Sequence, residues 1–330
     1  MSQDHDPVSF YDEYGEREWE RLERDLYHRL EWEETKHFLD EYLPTSGRVL
    51  DVGGGAGRYS AWLADRGYEV VLVDPSETQV SLAREKLRER DVLQSVDVQT
   101  GDVRDLSLST NAFAATLCLG GPLSHVLDAE ERRTAVQELK RVTAPDGPVF
   151  VSVMGKLAAL QTIVRGAGRV DPEADETELL PRLTETGTYD QELLDEFDLE
   201  PTAAPMHLFR VDELERLLVE GGLSLETVTG LESIVSQRRE DFDQMNEHHR
   251  RALRETVASL REDRGVARAP SFDPKFRIAL GERTPLKSTT GDSVAKVDGD
   301  KRSAPILPKC QVDADHAQKR TEEFWNSSHQ

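Results

Sequence analysis

The chain is poor in cysteine, in lysine and in long apolar stretches. Cys118 and Cys310 are its 2 thiols in 330 residues, too few and too far apart for a disulfide framework or a thiolate metal cluster. No apolar run reaches the roughly 18 residues that a membrane helix needs. The acidic start Met1-Ser2-Gln3-Asp4-His5-Asp6 lacks the basic and then apolar layout of a secretory signal, so a soluble cytoplasmic protein without membrane attachment is expected. Only 37% of residues are hydrophobic, and 64 acidic side chains leave a net charge of -23. Lysine supplies 10 of the 41 basic residues. This composition suits a surface adapted to high salt, where repulsion between carboxylates is screened. The same charge repels phosphate backbones and disfavours nucleic acid as a partner, although molar salt would screen much of that repulsion.

Against these absences stands one dense segment, Val49-Leu50-Asp51-Val52-Gly53-Gly54-Gly55-Ala56-Gly57-Arg58-Tyr59. It reads as a buried strand that ends on an acid and a glycine turn and then enters a helix closed by Gly67, whose amide groups would face a ligand. The dinucleotide fingerprint G-x-G-x-x-G would need glycine at position 58, where Arg58 stands. A second apolar run, Glu69 to Asp74, also ends on a carboxylate and is followed by Ser76-x-x-Gln79, a capping box for the next helix. A carboxylate at that strand end can accept hydrogen bonds from both hydroxyls of a ribose. A third run, Val96 to Val103, carries Asp102 at its carboxyl end. Each acid alone could be a helix cap or a solvated turn; three at successive strand ends point to one site.

Strands are expected at 48–53, 69–74, 96–100, 113–119 and 148–154, with helices at 57–66, 77–90 and 129–143 between them. This alternation predicts an α/β fold, a Rossmann-like, doubly wound and mostly parallel sheet, with ligands beyond the carboxyl ends of its strands. Residues 1–47 form an N-terminal lid region whose main helix spans about 16 to 43, on the spacing of Trp19, Leu22, Leu26, Leu30 and Phe38. Residues 48–155 form the core, and 156–205 an acidic insertion after strand five, with helical pieces at 156–165 and 174–183 and an extended piece after Gly187. In 206–285, a helix at 211–222 and a strand at 223–229 return to the core. A charged helix over 238–262 follows, and Phe276 to Leu280 is a poor candidate for a last strand. Residues 286–330 hold seven acids against seven bases and show no periodicity, so a disordered tail is expected there.

Asp51-x-Gly53-x-Gly55-x-Gly57 resembles motif I of the class I S-adenosylmethionine-dependent methyltransferases, here with a halophilic composition. The resemblance covers residues about 10 to 235 and is strongest over 48–154. It implies S-adenosylmethionine as cofactor. Gly53, Gly55 and Gly57 would admit the methionine portion, Asp51 would fix its ammonium directly or through water, and Asp74 would take the ribose. Asp102 with Val103 would take the adenine. Residues 113–126, Phe-Ala-Ala-Thr-Leu-Cys-Leu-Gly-Gly-Pro-Leu-Ser-His-Val, look like motif IV and its loop, which places Leu119 against the cofactor and the loop near its methyl group. The Asn/Asp-Pro-Pro-aromatic signature of amino methylation on adenine or glutamine and the Pro-Cys nucleophile of cytosine C5 methylation are both missing. The family's seventh strand has no convincing counterpart, unless a short strand near 276–280 serves.

These features imply methyl transfer to a small-molecule acceptor by in-line displacement, without a metal. The acceptor, its reacting atom and the oligomeric state are left open. His125 is the candidate base, since an imidazole titrates near neutrality; the competing role is a cap or a bond within its loop. Tyr11, Tyr14, His28, His207 and Arg210 are further candidates, each also able to serve structure alone. Cys118 reads as core packing. Two other functions remain, a nicotinamide-dependent oxidoreductase of the same fold and a protein that binds S-adenosylmethionine without catalysis.

Overall fold

The computed structural model describes residues 6–166, 176–231, 245–260 and the backbone of 277–282. The first strands form where the sequence is continuously apolar, as strands covered on both faces must be. β1 (Arg48–Val52), β2 (Glu69–Asp74), β3 (Val96–Thr100), β4 (Ala115–Cys118) and β5 (Val149–Ser152) are all parallel, in the order β3-β2-β1-β4-β5. The order reverses between β1 and β4, and at such a switch point a crevice opens beyond the strand ends. Helices α4 (Arg58–Ala64), α5 (Glu77–Glu89) and α6 (Ala129–Val142) connect the strands. One apolar layer packs Leu63, Val80, Ala83 and Leu87 on Val49, Leu72 and Leu117; the other packs Ala135, Val136 and Leu139 with Leu50, Val71 and Val151. The mostly parallel α/β sheet expected from the sequence is present.

Three expectations need correction or completion. The single helix over 16–43 is instead broken. α1 (Pro7–Tyr14) is capped by Asp6, the short α2 (Arg17–Glu20) runs into a 3-10 turn at Arg21–Glu23, and α3 (Leu26–Tyr42) starts afresh. The break has a local cause: Asp25 takes an extended conformation and accepts from the backbone N–H of His28, which caps a new helix. The last strand exists as β9 (Arg277–Glu282), antiparallel to β5 on one side and to β8 (Ser224–Gly230) on the other. It sits inside the sheet, with β8 as the edge strand. Of the helix expected over 238–262, the described part is α11, Glu247–Ser259. Residues 286–330 lie outside the described residues.

The insertion after β5 builds its own small apolar cluster. α7 (Lys156–Gly166), α8 (Leu180–Thr186), α9 (Gln191–Glu196) and the two-residue strands β6 (Thr188–Tyr189) and β7 (Met206–His207) enclose Leu179, Leu183, Leu194 and Leu208. α10 (Val211–Glu220) then returns to the core through Leu214 and Leu218.

Candidate functional site

At the end of β1 the chain turns sharply. The N–H of Gly53 donates to the carbonyl of Val73 at 2.7 Å, and its φ of +67° is one that L side chains rarely adopt. A Cβ there would lie 2.2 Å from Cγ of Pro122, so only glycine lets the motif IV loop close over the turn. Gly55 donates its N–H to Asp74 Oδ2 at 2.9 Å, and the backbone of Ser76 donates to Asp74 Oδ1, also at 2.9 Å. Thus the carboxylate at the end of β2 ties the glycine turn to the start of α5.

Beside this turn lies a cavity of about 490 Å³, within the usual range for small-molecule sites. Its wall includes Gly53, Gly55, Asp74, Asp102, Val103, Leu119 and His125. Two of the expected residues are not on it. Asp51 is buried behind the turn, where Ser60 donates to its Oδ2 at 2.7 Å, while Oδ1 has no hydrogen-bond partner among the described residues. Gly57 starts α4 with φ +87° and packs toward Leu72 and Ala83. Its role in the structure is helix entry and close packing.

The two buried acids are hard to ionise. Burial pushes the Asp51 carboxyl up to about 6, against the opposing Ser60 bond, and Asp74 adds repulsion. Burial likewise pushes Asp74 up to about 6, opposed by the two backbone N–H donors. Asp102 behaves differently. Partial burial disfavours its charge, but Arg104 outweighs this and lowers the pKa. Arg104 grips both carboxylate oxygens, at 2.8 and 2.6 Å, and also reaches Glu131 at 2.6 Å. A ligand amino group would share Asp102 with this arginine.

A cover of N-terminal residues completes the cavity. Asp6, Pro7, Val8 and Tyr11 from α1 and its cap lie on the wall, with Glu18 and Arg21. Gln79 holds this cover: its amide donates to the carbonyls of Tyr11 at 2.9 Å and Gly15 at 3.2 Å. The expected capping box is therefore half formed. Ser76 Oγ does accept from the N–H of Gln79 at 3.0 Å, but the glutamine side chain serves the cover, and the Ser76 hydroxyl donates to Asp12. Arg21, buried, donates to Glu18 at 3.1 Å and to both oxygens of Glu31 at 2.9 and 3.0 Å. The sequence marks neither Arg21 nor Gln79 as a site residue, since both occupy ordinary helical positions.

His125 ends a 3-10 turn, Pro122–His125. The turn is fixed to the end of β5: the N–H of Gly120 donates to Ser152 Oγ and that of Met154 to Ser124 Oγ, both at 2.9 Å. The His125 ring lies between Tyr11 Oη, 3.0 Å from Nε2, and the Pro205 carbonyl, 2.9 Å from Nδ1. These two partners belong to the cover and to the insertion. Among the other candidates only Tyr11 reaches the cavity wall. His28 is buried against Asp25 at 2.7 Å, His207 is bonded to Glu213 at 2.6 Å, and Arg210 pairs with Asp212 at 3.2 Å. Cys118 is fully buried in β4, and burial raises its thiol to about 12, as packing requires and a nucleophile does not.

Residues 49–147 match the model of the methyltransferase domain family. The chain is 30% identical over 197 residues to a ubiquinone biosynthesis O-methyltransferase of Xylella fastidiosa, covering 59% of this chain and 68% of that one. A glycine/sarcosine N-methyltransferase of Parasynechococcus marenigrum is 29% identical over 151 residues, 44% of this chain and 50% of its own length. A ubiquinone/menaquinone biosynthesis C-methyltransferase of Idiomarina loihiensis is 31% identical over 113 residues, 33% and 43%. The chain thus spans about half the length of these last two relatives. In fold it is similar to an S-adenosylmethionine-dependent methyltransferase of Methanosarcina mazei, with a TM-score of 0.51, 19% identity, and coverage of 74% of this chain and 96% of that one. These likenesses are to methyltransferases rather than to nicotinamide-dependent enzymes. With a parallel sheet whose first strand ends in a glycine turn and whose second ends on a buried carboxylate, the chain belongs to the S-adenosylmethionine-dependent methyltransferases.

Proposed function

We propose that the chain methylates a small-molecule acceptor by in-line displacement, with His125 as general base. The observation that carries this is a covered cavity of about 490 Å³ whose wall includes both the glycine turn and His125. N-terminal residues on its wall narrow the room for a polymer. S-adenosylmethionine supplies an electrophilic methyl group on a sulfonium, so alignment and exclusion of water account for much of the rate. Gly53 and Gly55 leave room for the methionine portion. Asp74 keeps its two backbone N–H donors and accepts ribose hydroxyls on its remaining lone pairs. Asp102, oriented by Arg104, accepts from the adenine amino group, and Val103 and Leu119 supply apolar contact. Asp51 lies behind the turn, and its negative charge favours the ammonium through an intervening backbone or water. Gly57 supports α4.

His125 takes a proton when the acceptor arrives protonated. Residues 156–205 act as a cap beside it, since Pro205 at the end of that segment holds the imidazole. The relatives are named for O-, N- and C-methylation of small compounds, which fits this acceptor class without choosing its atom. The charge of -23 supports a cytoplasmic enzyme working in concentrated salt, and no helix among the described residues is long and apolar enough to cross a membrane. Calorimetry in molar potassium chloride should show binding of S-adenosylhomocysteine. Label from methyl-labelled S-adenosylmethionine should then enter a deproteinised metabolite extract. Binding of NADH in place of S-adenosylhomocysteine, or label entering only RNA or protein, would sink the proposal.

A further inference from the structure

We propose that Tyr11, carried on the N-terminal cover, is the residue that touches the acceptor, and that it passes the acceptor's proton to His125. This rests on the proposed small-molecule methyl transfer and names the group that meets the substrate. Hydrogen-bond chemistry fixes the direction of the relay. The Pro205 carbonyl can only accept, so Nδ1 of His125, 2.9 Å away, carries a proton. When the imidazole is neutral its lone pair is therefore on Nε2, and the Tyr11 hydroxyl at 3.0 Å donates to it. The two rings meet edge to face, with centroids 5.3 Å apart. Tyr11 occupies the imidazole lone pair, so a substrate proton reaches His125 through the phenol oxygen, which keeps its own lone pairs for an incoming O–H or N–H group.

The proton inventory closes. As the acceptor's O–H or N–H bond breaks, its proton bonds to Tyr11 Oη, and the original phenol proton moves to His125 Nε2. The electron pair left on the acceptor atom forms the new bond to the methyl group as the methyl carbon–sulfur bond breaks, its pair returning to sulfur to leave S-adenosylhomocysteine. His125 becomes an imidazolium, with Nδ1–H still on Pro205 and Nε2–H now donating to Tyr11; it later loses one proton to water. Tyr11 stays a phenol throughout. That is required here, because burial raises its pKa, and Glu18 raises it further despite Arg21. The relay exists only with the cover docked, and Gln79, on the helix after Asp74, docks it by gripping the carbonyl of Tyr11 itself.

Two arms test this on the full chain saturated with S-adenosylhomocysteine or S-adenosylmethionine. In the first, nitrogen-15 spectra of labelled histidine in the S-adenosylhomocysteine complex should show His125 neutral with its proton on Nδ1. Tyr11→Phe should leave that tautomer but move the Nε2 signal toward the value of an unbonded ring nitrogen. In the second, label transfer from methyl-labelled S-adenosylmethionine into the metabolite extract should fall about 10²-fold in Tyr11→Phe and in His125→Gln. The double variant should be no slower than the worse single one, as for residues acting in series. S-adenosylhomocysteine affinity should stay within about twofold throughout. An Nε2-protonated tautomer, a ring signal indifferent to Tyr11→Phe, or additive losses would overturn the relay. Wild-type protein that binds S-adenosylhomocysteine but labels nothing small would instead overturn the proposed function, and the spectra would still judge the pair.

Discussion

The side-chain amide of Gln79 donates to the backbone carbonyl of Tyr11 at 2.9 Å, so the helix that follows Asp74 grips the helix that covers the cavity. The carboxylate that braces the glycine turn and the amide that holds the cover thus lie within one short stretch of chain.

Gln79→Ala should loosen the cover without unfolding the core. It removes bonds to the carbonyls of Tyr11 and Gly15, each worth about 0.5 to 1.5 kcal/mol. It also removes Gln79 Oε1, which has no partner among the described residues, so the melting temperature should change little. Amide hydrogen exchange over residues 7–15 should speed up by about tenfold. Unchanged exchange there would show that the cover is held by other contacts.

Asp74→Ala should weaken S-adenosylhomocysteine binding by roughly 1.5 to 3 kcal/mol, about tenfold or more, through loss of charge-assisted bonds. Asn should be milder, because one oxygen still accepts. Calorimetry checks both, and an unchanged dissociation constant in a folded Ala variant would take Asp74 out of the ribose site.

The raised pKa of Asp74, about 6, makes a signed pH prediction. An unfolded aspartate titrates near 3.9, so between about pH 4 and 6 the folded protein holds a proton that the unfolded chain has released. The contribution favours folding in full below about pH 4 and is lost as pH rises through 6, on the order of 2 kcal/mol. Asp74→Asn lacks this titration. Its melting temperature minus that of wild type should therefore rise by a few degrees between pH 4 and 7, and a constant difference would refute the shift. Ribose hydroxyls favour the ionised form, so S-adenosylhomocysteine affinity in wild type should increase from pH 5 to 7 with release of protons.

Two truncations distinguish β9 from the residues after it. Ending the chain after Pro285 should leave the melting temperature nearly unchanged, whereas ending it before Phe276 removes the strand between β5 and β8 and should lower it by many degrees. Equal losses from both would show that 286–330 is packed.

The sheet was legible because its strands announce themselves locally: Val70 to Val73 and Val149 to Val151 are continuously apolar, and Ser76 marks a helix start. Gly53, Gly55, Asp74, Asp102, Val103 and Leu119 reach the cavity because strand ends fix where such residues fall. Asp51 does not, because Ser60, nine positions later, draws its carboxylate inward, and nothing in the local pattern tells which way an acid at a strand end will turn. Tyr11 and His125 meet across 114 positions; their contact depends on how the cover docks, which no periodicity encodes. β9 was weakly marked for a similar reason. Arg277-Ile278-Ala279-Leu280-Gly281-Glu282 is short and contains a glycine, and it owes its strand conformation to partners on both sides.

The place of β9 also sets a timetable for the newborn chain. A ribosome releases β5 long before Arg277, and residues 153 to 276 must be made before the strand that belongs beside β5 exists. At roughly 5 to 20 residues per second that interval is on the order of ten seconds, during which β5 offers an unpaired edge and β8 waits for its sheet neighbour. Such edges invite pairing with other chains. The sheet can close only after Glu282 has emerged, in one late insertion of β9 between two waiting strands.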